Sequence, residues 1–186
     1  MERYHDQPHF AGIEIMNAPN KNKMNPSVLV QFYLQAYHII RSHSLSIIIV
    51  IHETSRWWIS LWRQQLQEPI YYNVAMDLHL FLSYRSLRSD NYSEFLHDVG
   101  LWKTLIDMER AFKPVIIGAW SFAPYNGNSS MISQNLKQRV VHEEILAMSF
   151  AVGSYIWTWK FDRNDHEYDE CSLKIQLSYE DGLRSQ

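Results

Sequence analysis

The sequence lacks several features that would place it in large classes of protein. It has one cysteine, Cys171, so no internal disulfide can form and a reducing compartment is permitted. Its longest uninterrupted apolar run is IIIVI at 47–51, which is too short to cross a bilayer. The first residues are polar and predict no signal peptide. At 186 residues and 46% hydrophobic, the chain can bury one sizeable core, so we expect a single domain over residues 1–186.

Positive charge is also scarce and scattered. The net charge is −3 and no basic stripe is present, which makes nucleic acid an unfavourable partner. Tryptophan, in contrast, is abundant, with seven residues. Many tryptophans are compatible with a carbohydrate-binding surface, although packing in a core is their more common role.

Short apolar segments alternate with helical patterns along the chain. Asn25 is a candidate N-cap with Pro26 at the first helical position, and this helix extends to about His43. Its apolar residues recur at helical spacing, namely Leu29, Phe32, Tyr33, Ala36, Tyr37 and Ile40. Further helices are predicted at 57–62, 92–112 and 130–150, the last capped by Ser129 or Ser130. Strands are predicted at 10–17, 45–53, 72–81, 113–122 and 153–161.

This alternation implies right-handed crossovers and a parallel sheet, in which the chemistry lies at the carboxyl ends of the strands. Polar and aromatic residues are found at these ends, including Asn17, His52, His79, Trp120 and Trp157. One such histidine is more often structural than functional. Several of them at consecutive strand ends predict a site.

Six segments, in order, resemble motifs of one enzyme family. GIEIMNAP, VIHE and NVAMDLHLF are similar to the motifs G-I-E-L-L-N-E-P, V-I-H-D and N-V-x-x-D-x-H-x-Y of glycoside hydrolase family 5. VIIGAWSFA and IWTWKF are similar to its V-x-G-E-W-S-x-A and F-W-T-W-K motifs, and FYLQAYHIIRSHS resembles the helix after the first strand. The resemblance is to the fungal-type exo-β-1,3-glucanases (glucan 1,3-beta-glucosidases) and extends from about Phe10 to Leu183.

The resemblance implies an α/β fold of the partial (β/α)₈ TIM-barrel type, holding approximately strands 4 to 8 with their helices. A complete barrel needs about 250 residues. Five strands cannot close on themselves, so their edges and core residues such as Ile13, Ile15 and Tyr155 require cover. We therefore expect another protein chain to cover the open barrel edge, either as a fragment with the first three strands or as neighbouring subunits.

The resemblance also identifies the positions that would carry catalysis. Family members hydrolyse β-glucans with retention, using an acid/base glutamate in N-E-P and a nucleophilic glutamate in G-E-W. Here the acid/base position is Ala18 and the nucleophile position is Ala119. Phe81 replaces a tyrosine whose hydroxyl the family places beside the nucleophile. Because a methyl group neither donates a proton nor forms a glycosyl ester, retaining hydrolysis is not expected.

Three other acids were considered as replacements. Glu14 lies on the same strand face as Ala18, but four residues along a strand correspond to roughly 13 Å, which places it deep in the barrel. Glu53 and Asp77 fall at positions where the family has acids that are not its catalytic pair. A rewired active site is therefore not favoured.

Two origins of the alanines and two functions stay open. Laboratory inactivation would explain the alanines alone, whereas natural decay also explains Phe81 and the absent strands. A decayed enzyme would persist as a structural subunit, which we favour, or as a β-glucan-binding module that uses Asn17, His52, His79, Phe81 and Trp157. No cofactor and no metal are expected. The family is usually secreted or associated with cell walls, but this sequence does not indicate a compartment.

Overall fold

The structure is a computed structural model that describes Tyr4 and residues 7–20, 22–53, 59–81, 92–121 and 134–157. The chain forms two compact units. The first comprises Met1–Leu78 with Met108–Ile116, and the second comprises His79–Asp107 with Ile117–Gln186. The prediction of a single domain over residues 1–186 stays a prediction.

Strands and helices alternate along the chain. The elements are β1 (Gly12–Glu14), α1 (Pro26–His43), β2 (Ile48–His52), α2 (Ile59–Gln65), β3 (Val74–Leu80), α3 (Tyr92–Arg110), β4 (Val115–Trp120), α4 (Gln134–Met148) and β5 (Gly153–Ile156). The five strands form one parallel sheet in the order β1-β2-β3-β4-β5. This order confirms the predicted α/β fold of a partial (β/α) barrel. By residue range, β3 and β4 each continue from the first unit into the second.

The strands are shorter than the apolar patterns predict. The strand expected at 10–17 is reduced to Gly12–Glu14, because the chain leaves the extended conformation before Ala18, whose φ is 43°. The amide of Ile15 still donates to the Val50 carbonyl at 3.1 Å. The predicted caps Ser129 and Ser130 and the end of the last predicted strand, at 158–161, lie outside the described residues.

Helix α1 begins where the sequence predicts. The side chain of Asn25 accepts a hydrogen bond from the Ser27 amide at 2.9 Å, and Pro26 occupies the first turn. The helix buries one face, formed by Leu29, Val30, Tyr33, Tyr37 and Ile40. Phe32, expected among these core residues, is 39% exposed, because one helical residue turns the side chain by about 100° away from that of Tyr33.

The core of the first unit lies between α1 and one face of strands β1–β3. Ile49 pairs with Val74 and Ile51 pairs with Met76 across the parallel strands β2 and β3. These four side chains belong to one buried cluster with the apolar face of α1. Trp62 of α2 and Leu66, which directly follows that helix, complete the cluster, and both are fully buried. Ile13 and Ile15 pack against it while partly buried.

Gly12 allows β1 to lie close to β2. A Cβ atom at this position would be 2.5 Å from the Ile48 carbonyl oxygen and 3.0 Å from the Ile48 Cβ. The carbonyl belongs to the backbone and cannot move aside as a side chain does. Glycine is therefore required here by space, not by backbone dihedral angles.

The buried side chain of Arg41 lies at the end of the first unit where β2 and β3 begin, and it binds backbone carbonyls there. Arg41 donates through Nη1 to the carbonyl of Ile47 at 3.0 Å and through Nη2 to those of Tyr72 and Asn73 at 2.8 and 3.2 Å. Its guanidinium also lies 4.9 Å from the ring centroid of Tyr37. One side chain thus joins the end of α1 to the segments that enter β2 and β3.

We predict that Arg41→Met lowers the free energy of unfolding by about 2 to 4 kcal/mol, because buried carbonyls would lose their donors. The methionine keeps most of the apolar stem, so the loss reports the hydrogen bonds. Chemical denaturation of both proteins measures it. Lys23→Met, which removes an exposed cation, serves as control, and an equal effect of the two substitutions would contradict the assignment.

The second unit contains most of α3, the end of β4, and all of α4 and β5. Buried apolar residues come from α3 (Val99, Trp102, Ile106), β4 (Ile117) and α4 (Val140, Ala147, Met148). The Trp157 amide donates to the Trp120 carbonyl at 2.7 Å and joins the end of β5 to β4. Tyr155 of β5, expected to be a core residue, is 65% exposed, and its cover by another chain stays a prediction.

Among the helices of the described ranges, none is both long and apolar enough to cross a membrane.

Candidate functional site

In the first unit, a histidine and an aspartate meet near the carboxyl ends of β2 and β3. His52 and Asp77 are direct cross-strand partners and are only 5% and 2% exposed. The Glu53 amide donates to the Asp77 carbonyl at 2.9 Å, so pairing continues to this point. Because side chains alternate along a strand and Ile51 faces α1, His52 and Asp77 occupy the opposite face of the sheet.

Tyr33 of α1 reaches the carboxyl end of β2 with its side chain. Its hydroxyl donates to the His52 carbonyl at 3.5 Å. Burial raises the pKa of this hydroxyl, and the negative charges of Glu14, Glu53 and Asp77 raise it further. The hydroxyl therefore stays protonated, and its surroundings have a negative potential. Tyr33 was missed as a neighbour of this site because a helix position in the sequence does not reveal a long-range hydrogen bond.

Asn17 and Ala18 lie in the exposed segment that follows β1. Ala18 has a φ of 43°, in the left-handed region that few residues other than glycine adopt. The following residue, Pro19, is buried and anchors the segment. Ala18, which we predicted to match the acid/base position, therefore lies on an irregular, solvent-facing segment.

In the second unit, three aromatic side chains form a continuous row. The rings of His79 and Phe81 are 6.4 Å apart at 88°, and those of Phe81 and Trp157 are 6.3 Å apart at 88°. Both are edge-to-face arrangements, which aromatic pairs favour. Trp157 is 42% exposed, so part of its ring faces solvent. We call His79, Phe81 and Trp157 the aromatic row.

Ala119, which we predicted to match the nucleophile position, is a half-buried residue within β4. It directly precedes Trp120, whose carbonyl accepts the hydrogen bond from the Trp157 amide. The strand thus continues through the position that would carry the nucleophile, and the side chain there is a methyl group.

The predicted ligand residues therefore fall into local groups. His52 adjoins Asp77 in the first unit, and His79, Phe81 and Trp157 adjoin one another in the second, while Asn17 lies on the exposed segment after β1. The contact of Phe81 with Trp157 joins residues 76 positions apart in the sequence, and no local pattern indicates it.

Metal ligands are available on these strands. Asp77 and His79 are two residues apart on β3 and so share a strand face, and His52 pairs with Asp77. Within the first unit, His52 and Asp77 are of the residue types that zinc accepts. The predicted absence of a cofactor and a metal stays a prediction.

Two further carboxyl groups are buried away from the predicted positions. Arg63 of α2 donates to Glu109 Oε1 at 3.3 Å, and although burial raises the pKa of Glu109, this cation opposes the rise. Glu144 of α4 is fully buried, and neither of its carboxyl oxygens has a hydrogen-bond partner among the described residues. Burial alone raises the pKa of Glu144 well above its usual range, so the group favours its neutral form.

We predict that Glu144→Gln stabilises the protein at neutral pH by about 1 to 3 kcal/mol, because glutamine removes the cost of a buried acid. Below the pKa that Glu144 has in the unfolded chain, this residue is protonated in both the folded and the unfolded state. The stability of the wild type and that of Glu144→Gln should therefore depend on pH in the same way there. As pH rises above that value, only the unfolded glutamate ionises freely, and the wild type loses stability. Denaturation at pH values on either side of about 4.3 measures the difference.

Glu143→Gln is the matched control, because Glu143 is adjacent to Glu144 on α4 but is only partly buried. A gain that is the same for both variants, or that does not depend on pH, would contradict this account of Glu144.

Comparison with known proteins shows similarity to β-glucan hydrolases over part of the chain. Glucan 1,3-beta-glucosidase 1 of Schizosaccharomyces pombe is 33% identical over 87 residues, which are 47% of this chain and 20% of that protein. Glucan 1,3-beta-glucosidase 2 of Wickerhamomyces anomalus is 32% identical over 68 residues, 37% of this chain and 16% of that protein. No protein-family model matches the chain.

The matched segments thus span about a fifth of the length of these relatives or less. Together with the fold, the partial matches support a glycoside hydrolase-like relationship and a glucanase-like origin for this chain.

Proposed function

We propose that this chain is a pseudoenzyme derived from a family 5 retaining exo-β-1,3-glucanase, and that it acts as a structural subunit of a larger assembly. The observation that carries this proposal is the presence of alanine at both positions that match the catalytic glutamates, Ala18 after β1 and Ala119 in β4. The supported glucanase-like origin and the retained strand order make the comparison of these positions meaningful.

Retaining hydrolysis needs two carboxyl groups about 5 to 5.5 Å apart. One attacks the anomeric carbon and forms a glycosyl ester, while the other protonates the leaving oxygen and then activates water. Neither Ala18 nor Ala119 can take part in any of these steps. Phe81 also has no hydroxyl with which to assist a nucleophile.

The remaining acids near β1–β3 are poor replacements. Asp77 is held by its strand pairing with His52 and is almost fully buried, and Glu53 is only 8% exposed. Glu14 belongs to β1 itself, where it pairs with Val50, and precedes Ala18 by four residues. A catalytic pair requires one acid on each side of the glycosidic bond, and none of the three lies on β4 or β5.

The proposal predicts that the purified chain releases no glucose from laminarin-type β-1,3-glucan above background. The double variant Ala18→Glu/Ala119→Glu should also be inactive, because Phe81 still lacks the hydroxyl that would assist a nucleophile. An active retaining exo-β-1,3-glucanase, assayed in parallel, shows that the assay detects turnover. Turnover by the unmodified chain, especially if it persists in Glu14→Gln/Glu53→Gln, would overturn the proposal.

The structural role is supported by the ends of the sheet. Among the described residues, β1 and β5 are the outermost strands of the sheet, and β1 has only three residues. On β5, Tyr155 is 65% exposed and the preceding Val152 is 71% exposed. Exposed apolar residues next to terminal strands are usually covered by a partner in stable proteins. We therefore propose that another protein chain covers this sheet edge.

A β-glucan-binding module is the second candidate function, and the aromatic row favours it. Trp157 is partly exposed and could stack on a pyranose ring, and His79 adjoins Phe81 beside it. The five strands of the described residues form only part of a barrel, however, so we rank binding below the structural role.

The preferred role predicts no saturable change in tryptophan fluorescence when laminari-oligosaccharides are added up to the millimolar range. A saturable change that is lost in Trp157→Ala would instead identify a binding module. Tyr155→Ala, which removes another exposed aromatic side chain of the same strand region, is the matched control.

A further inference from the structure

The segment that follows β1 has the sequence of a strand but an irregular backbone. β1 ends at Glu14, whereas the sequence pattern predicts a strand that continues to Asn17. Ala18 then adopts the left-handed conformation, with a φ of 43°. This conformation is unfavourable for alanine, because it brings the Cβ atom too close to the following carbonyl oxygen. The chain is therefore held after β1 in a conformation that its own residues do not favour.

The hydrogen bonds between β1 and β2 show where a longer β1 would bond. The two strands are parallel, with Ile13 opposite Ile49. The Ile15 amide, one residue beyond β1, donates to the Val50 carbonyl at 3.1 Å. Along a parallel ladder the donor and the acceptor each advance by two residues from one such bond to the next. In this register the next bond would join the Asn17 amide to the His52 carbonyl.

The His52 carbonyl accepts a hydrogen bond from α1 instead. The Tyr33 hydroxyl donates to it at 3.5 Å, whereas a hydroxyl donor ordinarily lies about 2.5 to 3.0 Å from its acceptor. The Asn17 amide makes no hydrogen bond with another residue of the described ranges, and Asn17 is exposed. A long side-chain hydrogen bond thus occupies the acceptor that the strand itself would use.

We infer that the end of β1 has two conformations, which compete for the His52 carbonyl. In the short form, which the structure shows, Tyr33 donates to this carbonyl and Ala18 is left-handed. In the long form the Asn17 amide donates to it, Ala18 is extended, and β1 continues to Asn17. Relief of the strain at Ala18 favours the long form. The burial of Pro19, and the cost of leaving the buried Tyr33 hydroxyl without an acceptor, favour the short form.

The long form offers a longer edge to a partner. Successive residues of a strand direct their backbone groups to alternate sides, and Ile13 and Ile15 face β2. Gly12 and Glu14 therefore face the opposite edge, and Met16 joins them in the long form. A chain that pairs with this edge binds the long form better and shifts the population towards it. This consequence rests on the covering chain proposed above, whereas the existence of the two forms does not.

Amide hydrogen exchange of the full chain, followed by NMR, tests the inference at Asn17. Tyr33→Phe removes the competing hydroxyl and should slow exchange of the Asn17 amide by about tenfold, as one ordinary hydrogen bond does. Ala18→Val should also slow it by about tenfold, because a β-branched residue disfavours positive φ and favours the extended form. The Ile15 amide is bonded in both forms, so its protection shows that each variant is folded.

Tyr37→Phe is the matched control. It removes the hydroxyl of another buried tyrosine of α1, which donates to the Ile70 carbonyl at 3.0 Å, and it should leave exchange at Asn17 unchanged. Ala18→Gly, added to Tyr33→Phe, should speed this exchange again by about tenfold, because glycine adopts the left-handed conformation without strain. Opposite effects of valine and glycine at one position cannot both result from unfolding.

Equal exchange at Asn17 in the wild type and all variants, or equal slowing by Tyr33→Phe and Tyr37→Phe, would overturn the inference. Neither outcome alters the glucan assay. Hydrolysis of laminarin, in turn, would overturn the proposed loss of activity and leave the exchange at Asn17 unchanged.

Discussion

The register between β2 and β3 is the constraint on which the rest of the first unit depends. It pairs Ile51 with Met76 on the face that packs against α1 and His52 with Asp77 on the other face. A slip of one residue would exchange the two faces, placing polar groups in the core and apolar side chains outside it. Burial of each large apolar side chain contributes about 1.5 to 3 kcal/mol, so the core holds this register firmly. The position of the polar residues is thus a consequence of the core.

The sequence predicted the elements well where a local signal exists. Asn25 and Pro26 mark the start of α1, and the β-branched run at 47–51 marks β2. Alternation along the strands also predicted which histidines would lie near the carboxyl ends. These signals are local, because a cap or a repeat of two or 3.6 residues involves only a few neighbours in the chain.

Features that depend on distant residues were not predictable in this way. The left-handed backbone at Ala18 shortens β1, and alanine itself gives no indication of such a conformation. The exposure of Phe32 depends on which of two adjacent aromatic residues the sheet accepts, and Tyr33 takes that place. The hydrogen bond from Tyr33 to His52 and the ring contact of Phe81 with Trp157 join separate elements. Each is decided by tertiary packing, which overrides local preference.

The alanines at positions 18 and 119 are compatible with the fold because both lie outside the core of the first unit. Ala18 is exposed on a loop and Ala119 is half-buried in β4, and neither belongs to the core cluster beneath α1. His52 and Asp77, in contrast, are integrated through strand pairing and through the hydrogen bond from Tyr33. Their retention is therefore explained by packing and does not by itself indicate sugar binding.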